Sequence, residues 1–247
     1  MKIKSDPSTR PNSTKSKPDQ PNPVGTAPPV AAPAVPLPGP VGYGFTPTTA
    51  ELFAANPAPA GSTAGRVVRV DRNRVLVAAA GDEYLHVRYP RYGPLPATGD
   101  WVWLGSNDVE EPVISAVLRR YSELSRKRAF EASSQAQVLG ANVVVVGIVV
   151  PVDRPLTPNR IERSLVAAWH SGATPLLIIT KADLADPADD VVGQVMLLAS
   201  GVDVVTTSAE QGAGLEDLSG RLAGGVTMVL LGPSGAGKST LINALVG

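Results

Sequence analysis

Nine consecutive residues, Gly232-Pro233-Ser234-Gly235-Ala236-Gly237-Lys238-Ser239-Thr240, combine backbone freedom, one cation and two adjacent hydroxyls. Glycines at 232, 235 and 237 let the main chain turn and approach a ligand with no Cβ in the way, so successive N–H groups can converge on one anion. The spacing G-x-x-x-x-G-K-S is that of a phosphate-binding loop. In such a loop Lys238 reaches the β- and γ-phosphates and the Ser239 hydroxyl serves Mg²⁺, which makes these two the candidate catalytic residues. The competing reading is a glycine-rich turn before a surface helix. The flanks favour the phosphate loop, because an apolar run, Thr227 to Leu231, precedes it and a helix-like pattern, Thr240 to Leu245, follows.

Two shorter groups stand after other apolar runs. Thr180-Lys181-Ala182-Asp183 follows Leu176-Leu177-Ile178-Ile179, and Ser208-Ala209 follows Val204-Val205-Thr206-Thr207. The first has the form N/T-K-x-D, which reads guanine. The Asp183 carboxylate can accept from both the ring N–H and the exocyclic amine, a donor pair that adenine lacks. The Lys181 stem lies over the base plane, and the Ala209 N–H donates to the base carbonyl. Each group alone is weak, since a capped turn with Asp183 as the cap has the same sequence. Three groups at strand ends of one sheet point to a guanine nucleotide, and Asp183 decides against an ATP site.

What must position these loops is a parallel sheet. The runs 142–150, 175–179, 202–205 and 227–231 are nearly continuously apolar, the pattern of strands covered on both faces. Between the first two, Thr157 and Pro158 open a helix whose Ile161, Leu165 and Trp169 are expected to face the sheet, and His170 to Gly172 close it. Further helices are expected over 187–200 and 215–222. Ligands of such sheets sit over the carboxyl ends of the strands. The base-reading groups precede the phosphate loop in the chain, so the expected fold is an α/β GTPase domain over 136–247 in circularly permuted order, incomplete at its C-terminal end.

Ahead of it, residues 61–120 alternate in short runs: 65–70, 75–77, 84–88, 99–104 and 112–118, with turn signals at 71–73 and 81–82. Five short strands suit an OB-type barrel, with an SH3-like barrel as the alternative. Arg119 and Arg120 at the barrel's end, with Arg126, Lys127 and Arg128 in a basic linker over 121–135, form a cationic cluster readable as an RNA-backbone contact or a solvated connection. Tyr89, Tyr92, Trp101 and Trp103 are candidates for base stacking or for packing within the barrel. Residues 1–60 hold 14 of the 24 prolines and show no periodicity, so a disordered tail is expected.

Composition narrows the rest. Basic and acidic residues balance at 22 each, which leaves any nucleic-acid contact to local patches. No cysteine and two histidines exclude disulfides and a Cys- or His-rich metal site within the 247 residues. The apolar runs are too short to span a bilayer and the start has no signal-peptide core, so a cytoplasmic protein without membrane contact is expected.

The order of a small barrel followed by a permuted GTPase resembles the RsgA family of ribosome small-subunit-dependent GTPases. The resemblance rests on residues 65–70, Gly99-Asp100-Trp101-Val102, Leu124-Ser125-Arg126-Lys127, residues 137–143, Arg160-Ile161-Glu162-Arg163-Ser164-Leu165, Thr180 to Asp183 and Gly232 to Thr240. It implies a monomer that binds GTP or GDP with Mg²⁺, hydrolyses GTP on the small ribosomal subunit late in its maturation, and touches ribosomal RNA through the barrel. Members of that family continue into switch segments, a D-x-x-G motif and a zinc-binding module. The 247 residues stop one or two turns into the phosphate loop's helix, before these parts, and the undegraded motifs favour a fragment of a longer protein over a non-catalytic RNA-binding remnant.

Overall fold

The computed structural model describes residues 41–57, 61–80, 83–89, 93–107, 110–126, 137–186 and 190–246. All lie in one compact unit, Ala34–Gly247. Tyr92, Lys127, Arg128, the turn at 81–82, the expected helix start at 187 and the first 40 residues of the expected tail lie outside the described residues.

Five strands close a barrel: β1 (Thr63–Val70), β2 (Arg74–Ala78), β3 (Tyr84–Arg88), β4 (Trp101–Ser106) and β5 (Pro112–Val117), in the order β1-β2-β3-β5-β4. This is the OB-type expectation. Alternation sets the inner face, where Val75, Val77, Val87 and Val102 are fully buried against Val67, Leu104 and Ile114. Closure comes from β1 pairing antiparallel with β4, and from Arg88 of β3 pairing in parallel with Val113 of β5.

The described part of the expected tail is ordered. Residues Val41–Tyr43 form a 3₁₀ turn and Pro47–Ala55 form α1. The Thr46 hydroxyl accepts from the Thr49 N–H, and Pro47 occupies the first turn, where its missing N–H is harmless. Phe45 and Phe53 then bury against Trp101, with ring centroids 5.4 and 5.9 Å away. Proline content hid these two aromatics and the cap. The same cluster answers the stacking question for both tryptophans: Trp101 is 1% exposed, and Trp103 packs on Phe53 at 4.6 Å and donates to the Asn56 carbonyl. Tyr89 donates its hydroxyl to the Asp71 carbonyl.

The described part of the basic stretch, up to Arg126, is also structured. Strand β6 (Glu123–Arg126) pairs antiparallel with β7 (Gln137–Ala141). Arg120 grips buried Asp100 through two 2.8 Å hydrogen bonds and Glu123 at 2.7 Å, so it is an internal ion-pair residue and is removed from the RNA-facing set. The Asp100 hydrogen bond is the main cause that raises the Arg120 pKa above its ordinary value, so the guanidinium stays charged.

The second layer system is a parallel sheet of β8 (Val145–Pro151), β9 (Thr174–Thr180), β10 (Val204–Thr206) and β11 (Met228–Leu231), ordered β10-β9-β8-β11. The last strand in the chain therefore lies beside the first of the four. Leu177 and Ile179 face a core shared with α2 (Pro158–Ser171) and α3 (Val191–Leu198). Leu176 and Ile178 face the opposite core, with Leu218 of α4 (Leu215–Arg221) and Leu241 of α5 (Lys238–Val246). Two covered faces explain the nearly continuous apolar runs. On α2 the inward positions are Ile161, Leu165 and Ala168, while Trp169 is 55% exposed. At 100° per residue the eighth position falls about 80° off the stripe and the seventh only about 20°, so the expected inward role of Trp169 is corrected. Thr157 sits at the cap position with no side-chain hydrogen bond, and its carbonyl accepts from Arg160 and Ile161.

A polar seam joins barrel and sheet. Arg66 of β1 is 4% exposed, lies 4.4 Å from the Trp101 ring centroid, and donates to the Tyr43 carbonyl and to Thr227 Oγ1 at 2.9 Å, just before β11. Asn142, at positive φ, donates to the Gly99 carbonyl and accepts from the Tyr121 N–H.

Candidate nucleotide site

The phosphate-loop candidate leaves β11 at Leu231 and enters α5 at Lys238. Gly232 passes so close to β8 that a Cβ would stand 2.9 Å from the Val149 carbonyl oxygen. Gly235 and Gly237 have φ of 73° and 86°, a region that side-chain-bearing residues avoid. Every carbonyl from 232 to 236 has a side-chain donor. Lys238 Nζ donates to those of Gly232 and Pro233 at 2.9 and 2.7 Å, Arg154 to those of Ser234 and Gly235, and Thr180 Oγ1 to that of Ala236 at 2.7 Å. Across a trans peptide the N–H points opposite to the preceding carbonyl. Carbonyls drawn to the donors thus aim the N–H groups of Ser234, Gly235 and Gly237 the other way, the polarity an anion requires, while Pro233 has no N–H and that of Ala236 donates to the Pro233 carbonyl.

The second group starts where β9 ends. Thr180 is buried, and Lys181 adopts left-handed backbone angles, φ 62° and ψ 37°, uncommon for a residue with a Cβ. Its ammonium contacts Asp153 Oδ2 at 2.6 Å, and its Cε lies 3.9 Å from where a Cβ on Gly237 would stand. This hydrogen bond is the main cause that lowers the Asp153 pKa below its ordinary 3.8, with Arg154 adding to it. Asp183 follows in a 3₁₀ turn, Ala182–Leu184, and its Oδ1 accepts from the Ser208 hydroxyl. The Ala182 N–H donates to the Thr207 carbonyl, and the Gln211 N–H to Ser208 Oγ, so the third group is fixed to the second.

A cavity of about 290 Å³ opens between these loops, lined by Lys181, Asp183, Ala209, Gly237, Thr240 and Leu241 among others. Residues separated in the chain by more than 50 positions thus share one concave surface at the carboxyl ends of β9, β10 and β11. Ser239 does not line it and is exposed in the first turn of α5. Among the described residues no group of three or more acidic or histidine side chains could hold a metal. A lone hydroxyl fits Mg²⁺, which keeps several waters and takes phosphate oxygens. The full sequence lacks the thiolates of a structural zinc site, so the zinc expected from the resemblance has no ligands here.

The RsgA GTPase family matches residues 117–247. The chain belongs to that family. A Streptomyces coelicolor relative named small ribosomal subunit biogenesis GTPase RsgA is 44% identical over 218 residues, 83% of this chain and 57% of its own length. A relative of the same name from Syntrophotalea carbinolica is 41% identical over 157 residues, 61% of this chain and 43% of its own length. The chain thus spans about half the length of the curated RsgA relatives it matches. Among solved structures, YjeQ from Thermotoga maritima superposes with a TM-score of 0.58 at 29% identity, covering 74% of this chain and 64% of that one. YloQ, titled a circularly permuted GTPase, has the same TM-score and coverages at 23% identity and shares the fold. The RsgA assignment accounts for the sheet order, in which the phosphate-loop strand comes last in the chain.

Two residues of the site were not singled out in the sequence, Asp153 and Arg154. They follow β8 after a single residue, Val152, so the strand-end rule that found Asp183 and Ala209 points to them as well.

Proposed function

We propose that this RsgA-family protein binds GTP and GDP with Mg²⁺ and hydrolyses GTP in late maturation of the small ribosomal subunit. The observation that carries the nucleotide reading is the cavity shared by Asp183, Ala209 and two residues of the phosphate loop, Gly237 and Thr240. The guanine base stacks along the Lys181 stem, with its ring N–H and amine on Asp183 and its carbonyl on the Ala209 N–H. Thr180, Ala182 and Ser208 hold those groups in register. The loop N–H groups and Lys238 bind the phosphates, and Ser239 offers its hydroxyl to the metal. Mg²⁺, when bound, neutralises phosphate charge and orients the terminal phosphoryl group.

The ribosomal partner follows from the names of the relatives, and the barrel supplies a surface for it. Arg74 and Arg88 are direct cross-strand partners, as are Leu76 and His86, so both pairs share the outer face with exposed Tyr84 and Arg69. Cations beside an exposed ring suit the backbone and bases of ribosomal RNA. Such a partner puts the protein in the cytoplasm, acting as a monomer. Among the described residues no helix is long and apolar enough to cross a membrane.

Titration with fluorescent GDP tests the base assignment. Asp183→Asn is expected to shift preference from guanine to xanthine nucleotides, and retained guanine selectivity would count against it. Co-sedimentation with small ribosomal subunits over a salt series tests the partner: binding should weaken steeply with salt and fall further in Arg74→Ala/Arg88→Ala.

A further inference from the structure

We propose that Arg154, oriented by Asp153, is a positioning residue that holds the apex of the phosphate loop in its anion-binding orientation. This rests on the phosphate-loop reading above.

The carbonyls of Ser234 and Gly235 stand at the top of the loop, farthest from β11 and α5, where the chain has least support. The Arg154 guanidinium spans both, with Nη1 3.1 Å from the Ser234 oxygen and Nη2 3.4 Å from the Gly235 oxygen. Its third nitrogen, Nε, donates to Asp153 Oδ1 at 3.3 Å. The planar fork is therefore anchored at its root and bridges two successive peptide planes, a task for which a lysine has the wrong shape. Holding both carbonyls on the arginine side turns the N–H groups of Gly235 and Ala236 to the opposite side, where the Gly235 N–H faces the cradle and that of Ala236 closes a turn on the Pro233 carbonyl at 3.3 Å.

The other donors differ in what a phosphate does to them. Lys238 Nζ rests on the carbonyls of Gly232 and Pro233, and an anion in the cradle offers that ammonium a stronger acceptor. Thr180 secures only the carbonyl of Ala236. Arg154 approaches from the carbonyl side, so its hydrogen bonds are compatible with an occupied cradle. Asp153 also takes the Lys181 ammonium, so one carboxylate orients both the residue beneath the base and the residue behind the phosphates.

Competition of guanosine, GMP and GDP against fluorescent GDP, with the full chain, separates this role from a general structural one. Arg154→Gln should weaken GDP about tenfold, the loss of charge-assisted hydrogen bonds, and leave guanosine within about twofold. Arg154→Lys, which keeps the charge and loses the fork, should fall between. Parental GDP affinity in Arg154→Gln, or an equal loss for all three ligands, overturns the proposal. Lys238→Ala is the control. If it too leaves GDP binding unchanged, the phosphate-loop reading itself fails; if it abolishes binding while Arg154→Gln does not weaken it, only the positioning role fails. Arg154 is 39% exposed, so the nucleotide-free melting temperature should stay at the parental value in both Arg154 variants. A drop shared by both, with matching affinity losses for guanosine, would assign the residue to folding instead.

Discussion

The hydroxyl of Thr180 donates to the carbonyl of Ala236 across 56 positions of sequence, at 2.7 Å and fully inside the protein. It welds the end of β9 to the loop after β11, although neither strand pairs with the other in the sheet. Thr180→Val keeps the volume and removes the donor. The Ala236 carbonyl is then buried without that partner, which should lower unfolding stability by about 1–3 kcal/mol. Thr180→Ser should recover most of it. Urea denaturation of the three proteins measures the difference.

The Asp153 carboxylate titrates below its ordinary 3.8, chiefly because the Lys181 ammonium hydrogen-bonds to it. A depressed folded pKa means that the pair contributes fully above the unfolded value and is lost as pH falls through the folded one. The Lys181 contact is therefore expected to persist at neutral pH and to open only in acid below pH 3.8. The carboxyl carbon shift of Asp153, followed by NMR, should show that low midpoint. In Lys181→Ala the midpoint should move back up toward 3.8, and an unmoved midpoint would deny the pair.

The sequence carried the barrel strands and the sheet well, because alternation and nearly continuous apolar runs are direct consequences of one covered face or two. The phosphate loop was legible for the same reason, since Gly235 and Gly237 occupy backbone angles that few residues tolerate. What escaped was of two kinds. Helix α1 was masked by proline content, and only Thr46-Pro47 with Phe45 and Phe53 signalled it. The other kind is contact between distant segments: Arg66 with Thr227, Arg120 with Asp100, and Arg154 with the loop apex have no periodic signature. Local sequence identifies a cation and leaves open whether it faces solvent, RNA or a buried carboxylate.

Trp169 and Leu165 give opposite outcomes on one helix. Trp169→Gln, on the exposed flank of α2, should change stability by no more than about 0.5 kcal/mol. Leu165→Ala, 3% exposed in the core beside Ile161, should cost about 2–5 kcal/mol. Thermal and urea unfolding of both variants check this, and a large loss in Trp169→Gln would restore the inward orientation that the helix periodicity disfavours.

Gly99 sits where the barrel meets the sheet domain, with φ of 93°. A Cβ there would stand within clashing distance of the Ala141 carbonyl oxygen, on backbone that is itself hydrogen-bonded to Thr98. Gly99→Ala therefore meets two penalties, a left-handed backbone and a steric overlap with main chain that no rotamer can relieve. The expected loss is about 2–4 kcal/mol. Gly61→Ala is the comparison, since its φ of 79° is similar and its Cβ would meet nothing within 4 Å. That variant should lose only the backbone contribution, about 1 kcal/mol. Equal losses in the two variants would show that the approach of Ala141 to Gly99 adds nothing to stability.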